Sequence, residues 1–227
     1  MIGIEEEKTM NQEEPIQTAL GPHAQRSLLV AARMLSAVFR PGYYPSVVFL
    51  VLLNFTFLQM LPFFFKLYVL CMVYLFTIVF PSLGIYVYRQ LRGFGIQELR
   101  SHHKRLVPYV INILCYLFCL HFVWRLRLPS FVLAILGIAI LVQCVCTIIT
   151  IWWKISMHSA AAGTVIGILA AYSLVFGFNP IWWLCLAILV SGLVNSSRML
   201  LRQHTLWQVL GGTCVGIVCG LLGIMII

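Results

Sequence analysis

From Tyr44 to the end of the chain, the sequence is a succession of seven apolar runs. Their approximate limits are Tyr44 to Phe63, Leu67 to Tyr88, Leu106 to Trp124, Ser130 to Trp153, Ser159 to Phe178, Pro180 to Ser196 and Leu206 to Ile227. A run of about 18 apolar residues marks a membrane span, and in lipid the backbone must satisfy its own hydrogen bonds, which favours helices. With 62% apolar residues, 9% charged residues and a mean hydropathy of +0.99, the chain is expected to be all-α, a polytopic membrane helix bundle. The first two runs are separated only by Phe64 to Lys66, so about six to seven transmembrane helices are expected. Prolines 108, 129 and 180 sit near run starts, where proline is tolerated, and all six tryptophans lie near run ends, as interfacial aromatics do.

Ahead of the runs, residues 1–26 form a polar, glutamate-rich tail without the basic and apolar regions of a signal peptide. In residues 27–43, apolar positions Leu28, Leu29, Ala32, Leu35 and Phe39 recur at helical spacing beside Arg33 and Arg40, which suits a short interfacial helix ended by Pro41-Gly42. Residues 44–227 are read as one transmembrane domain.

The six acidic residues are Glu5, Glu6, Glu7, Glu13, Glu14 and Glu98, and no aspartate occurs. A carboxylate-rich two-metal site is therefore not expected, because hard cations need several oxygen anions. The eight cysteines all fall inside apolar runs, where a thiol behaves as a small hydrophobe. The net charge of +9 is accounted for by membrane-flanking cations, so nucleic acid is not expected as a partner.

With seven spans, the segments Arg89 to Arg105, Lys154 to His158 and Ser197 to Thr205 share one face, because two crossings separate each from the next. All Lys and Arg except Lys66, Arg125 and Arg127 then lie on that face. The positive-inside rule would make it cytoplasmic, in a protein of the cell (inner) membrane, although a phosphate site would also claim some of those cations. The fifth and seventh runs carry small residues, Ala160 to Gly163 and Gly167 in one and Gly212, Gly216 and Gly220 in the other. Small residues at that period form a flat stripe for another backbone, so these helices are expected to pack directly together, bringing His158 and His204 at their heads within reach of one ligand.

Polar groups in such an apolar chain are costly and ask for a function. Lys154, Ser156 and His158 stand at one end of the stretch from 154 to 208, and Ser197, Arg198, Arg202, His204 and Gln208 at the other. Together they suit phosphate chemistry. An arginine fork can bind two phosphate oxygens, a lysine supplies a point charge, and a serine at a helix N-terminus adds a hydroxyl beside free amides. One imidazole could attack phosphorus while the other protonates the leaving oxygen.

Ser197-Arg198, five residues, then His204 resembles the third motif of the type 2 phosphatidic acid phosphatase superfamily, serine-arginine-x5-histidine-x3-aspartate. Ser156-Met157-His158 is similar to its proline-serine-glycine-histidine second motif, with Ile155 and Met157 in place of proline and glycine. Lys104-Arg105-Leu-Val-Pro108 suggests the first motif, lysine-x6-arginine-proline, but lacks the arginine-proline adjacency and has Glu98 at the leading lysine. The resemblance covers about residues 98–227. It implies a helical membrane core and a metal-independent phosphatase without a cofactor. His204 would be the nucleophile that becomes phosphohistidine, His158 the general acid, and Arg198 and Ser156 the phosphate cradle. Lys104 and Arg105 are candidates for its basic member, and Lys154 is a substitute. The motif aspartate is replaced by Gln208, which can accept a hydrogen bond but adds no charge. Thr205 to Gln208 also reads as a capping box, so Gln208 either caps the seventh helix alone or also orients His204.

The expected function is hydrolysis of a lipid phosphate or diphosphate presented at the bilayer surface. The alternative is a catalytically silent protein that binds lipid phosphates or acts as a scaffold.

Overall fold

The computed structural model describes residues 22–55, 57–92, 102–177 and 179–225. Among them all regular structure is helical. Helix α1 spans Pro22–Val38 and α2 Tyr43–Phe55, followed by a short 3-10 turn, Phe57–Met60. Helix α3 is continuous over three parts, Phe63–Tyr74, a π-helical turn Leu75–Val79, and Phe80–Arg92. The remaining helices are α4 His102–Arg125, α5 Ser130–Trp152, α6 Met157–Phe176, α7 Ile181–Leu200 and α8 Leu206–Met225. Six helices, α3 to α8, are long and apolar enough to cross a membrane.

The N-terminal part differs from the sequence reading. The break expected at Phe64 to Lys66 lies instead between Phe55 and Phe63, and Lys66 belongs to α3. Pro62 precedes the first turn of α3, where its missing N–H removes nothing, whereas a lysine can remain in an apolar helix by snorkelling. Helix α2 is 13 residues long, roughly 20 Å, against about 30 Å of hydrocarbon. It forms a bent pair with α1, the two axes turning by 61° across Pro41-Gly42, and if that pair is one broken span the count rises to 7. The bend rests against the π turn of α3. Pro81 cannot donate to the Thr77 carbonyl one turn back, which loosens the winding there. An added Cβ at Gly42 would lie 2.9 Å from that carbonyl oxygen.

Helices α6 and α8 pack backbone to backbone, as the small-residue stripes predict. An added Cβ at Gly212 would lie 2.7 Å from the Ser156 carbonyl oxygen, and one at Gly220 2.6 Å from that of Thr164. Gly216 faces Ala160 and Gly163 faces Thr213 still more closely. Any side chain at these positions would push the helices apart, so the glycines set the separation of the two helix heads. A second apolar core joins α2, α3, α4 and α5 around Phe49, Val69, Val73, Cys119, Val123 and Leu136.

Candidate functional site

The site is assembled from the heads of α6 and α8, the end of α7 and the last turn of α1. Residues 153–156 link α5 to α6, and Ser156 caps α6: its Oγ accepts the Ser159 amide at 3.4 Å and the Ser159 hydroxyl at 2.9 Å. Both serines are fully buried. The Ser156 amide donates to the Gln208 carbonyl at 3.3 Å, fastening the head of α6 to the first turn of α8. His158, in the first turn of α6, is placed by this cap.

Between α7 and α8, Arg202 takes a left-handed conformation, φ 50°. Its amide donates to the Met199 carbonyl at 2.8 Å, and that of Gln203 to the Arg198 carbonyl at 3.2 Å. This turn satisfies carbonyls at the end of α7 that have no helical partner. The Lys154 ammonium donates to the Gln203 carbonyl, so the link before α6 also holds the turn before α8.

Gln208 does two things with one atom. Its Oε1 accepts the Thr205 amide at 3.3 Å, the backbone half of a capping box, and lies 3.2 Å from His204 Nδ1. Because the Thr205 N–H is a donor, the amide atom facing it must be the oxygen, and an amide oxygen only accepts. His204 therefore carries a proton on Nδ1.

Arg198, in the last turn of α7, donates from Nη1 to Ser36 Oγ at 2.8 Å, while its Nε is buried without a partner among the described residues. An unpaired buried N–H on a cation costs free energy, and a phosphate oxygen would satisfy it. His158 lies in the electrostatic field of Arg198, His204 and Arg40 and hydrogen-bonds the Ser36 backbone. The structure thus brings Lys154, Ser156, His158, Arg198, His204 and Gln208 to one end of the bundle.

Lys104 and Arg105 lie in the first turn of α4, and Glu98 lies outside the described residues. Tyr109, one turn further along α4, is close enough to Arg198 to interact with it electrostatically. The α4 end therefore borders the site.

Residues 151–227 match the PAP2 superfamily model. The match is consistent with a type 2 phosphatidic acid phosphatase superfamily member. No curated protein and no solved structure gives a match. The PAP2 match runs from the end of α5 through α8 and so includes both histidines, Arg198 and Gln208. The PAP2 match supports a phosphoric monoester hydrolase in general terms, and with the apolar helices it supports an integral membrane protein.

Ser36, Arg40 and Tyr109 lie outside the matched PAP2 segment, and sequence reasoning did not assign them to the site. Their signal was faint. Ala32 and Ser36 are buried one turn apart on α1 while Met34 and Val38 are 65% and 64% exposed, so the most buried positions of the helix carry small residues.

Proposed function

We propose that the chain is an integral membrane phosphatase that hydrolyses a lipid phosphate or diphosphate through a phosphohistidine on His204. The observation that carries this reading is the 3.2 Å hydrogen bond between His204 Nδ1 and Gln208 Oε1: it orients the imidazole, and Nε2 is the nitrogen assigned as the nucleophile. Nε2 attacks phosphorus, the bond from phosphorus to the lipid oxygen breaks, and His158 gives that oxygen a proton. Water then attacks the phosphohistidine, the P–N bond breaks, and His158 takes a proton from the water. Arg198 faces the phosphoryl oxygens through its fork, and Lys154 adds a second cation at the same end of the bundle. Ser156 acts mainly as the cap that places His158, and the cations of the α4 end, Lys104 and Arg105, attract the anionic headgroup. No metal enters these steps, in keeping with the absence of aspartate and the position of five of the six glutamates before residue 15.

The test is phosphate release by purified protein in EDTA from phosphatidic acid, phosphatidylglycerophosphate, a prenyl diphosphate and a lipid A phosphate. Release from at least one substrate, insensitive to EDTA and lost in His204→Ala, is expected. Lipid-phosphate binding by folded protein with no release above that variant would instead favour the silent binder, with the uncharged Gln208 as the reason.

A further inference from the structure

Helix α1 reaches the site at Ser36. Ser36 is buried, its hydroxyl accepts from Arg198 Nη1 at 2.8 Å, and its backbone hydrogen-bonds His158. The other face of α1 is exposed and apolar at Val30, Met34 and Val38. Its packing inside the protein is mainly against α7, the helix that carries Arg198. A planar guanidinium offers two edges to an anion. Anchoring Nη1 leaves the side-on edge, Nε with Nη2, as the one that can take two phosphate oxygens, and Nε is a buried donor without a partner among the described residues. A backbone hydrogen bond to one nitrogen of an imidazole likewise fixes which nitrogen faces the reaction.

We propose that Ser36 is a positioning residue of the phosphate site, aligning Arg198 and His158 from a helix outside the matched segment, so that α1 forms the fourth wall of the cradle. This rests on the phosphatase reading for its kinetic consequences, but its effect on anion binding does not. A phosphate monoester bound on the Nε edge keeps the contact between Ser36 and Arg198; it does not displace it.

The experiment compares wild type with Ser36→Ala, Ser36→Thr and Ser46→Ala, measuring KM, kcat, the Kd for inorganic vanadate and the thermal midpoint. Ser46 is the control, because it is a buried serine whose hydroxyl pairs at 3.3 Å with Thr77 of the adjoining helix, which is not a residue of the site. In Ser36→Ala, KM and the vanadate Kd should both rise by roughly tenfold, the worth of a hydrogen bond to a charged group, with a smaller change in kcat. Ser36→Thr, which keeps the hydroxyl, should recover most of the loss, and Ser46→Ala should leave both constants unchanged. Unchanged or tighter vanadate binding in Ser36→Ala would overturn the proposal, the tighter result marking Ser36 as a placeholder that phosphate expels. Equal weakening in Ser46→Ala would overturn it too, as a general loosening of the bent segment. If wild type releases no phosphate yet Ser36→Ala still weakens vanadate binding, the phosphatase reading fails and the assignment of Ser36 stands.

Discussion

His204 Nδ1 and Gln208 Oε1 stand 3.2 Å apart, and the direction of that hydrogen bond is set by the backbone next to it. The Thr205 amide donates to the same oxygen, so the imidazole must donate as well. A neutral amide thereby fixes a histidine tautomer that a carboxylate would also fix, without the charge that would stabilise the imidazolium.

Replacing Gln208 should therefore separate orientation from charge. Gln208→Leu removes both hydrogen bonds, and kcat should fall roughly tenfold to a hundredfold, with about 1 kcal/mol lost from the helix start. Gln208→Glu keeps the reach and adds a charge, so kcat should equal or exceed wild type by up to about tenfold. Steady-state phosphate release with a parallel thermal melt distinguishes the two, and a Gln208→Leu protein with wild-type kcat would show that the residue only caps α8.

The close contact of α6 and α8 gives a second expectation. Gly216→Ala forces a methyl against the Ala160 backbone and should cost about 1 to 3 kcal/mol by overpacking, while weakening phosphate release because the two histidines move apart. Gly192→Ala, where an added Cβ meets nothing within 4 Å, should be neutral or gain about 0.5 to 1 kcal/mol. Thermal midpoints in one detergent, measured beside turnover, check both.

Loss of the α6 cap is a third test. Ser156→Ala removes the acceptor of the Ser159 amide and hydroxyl in a fully buried place, so about 1 to 2 kcal/mol of stability should disappear. Because the cap also places His158, kcat should fall with it. Ser156→Thr, which keeps an oxygen at the cap, should restore most of the lost stability. A stable Ser156→Ala protein with a raised KM and unchanged kcat would mean that the hydroxyl contacts phosphate directly.

Much of this arrangement was legible in the sequence because it rests on short-range rules. Glycines four residues apart in one run and small residues in another can only be reconciled with lipid by close backbone packing, and α6 and α8 pack that way. Gln208, three residues after Thr205, was readable as a capping box, and the structure adds the His204 bond that spacing left open. The entry of α1 was not legible. Ser36 and Arg198 are separated by 162 positions, and no period links a serine on an amphipathic helix to an arginine that far away. The break between the first two runs lies before Lys66 because Pro62 sets the start of α3, and a lone lysine does not interrupt an apolar helix.

The most direct test of the central claim is rapid quenching of the protein during turnover of labelled phosphatidic acid, or of whichever panel substrate is hydrolysed, followed by peptide mapping. The account predicts an alkali-stable, acid-labile phosphoryl group on His204, absent from His204→Ala. Product release by wild type with His204 never phosphorylated, or unchanged turnover in His204→Ala, would contradict it.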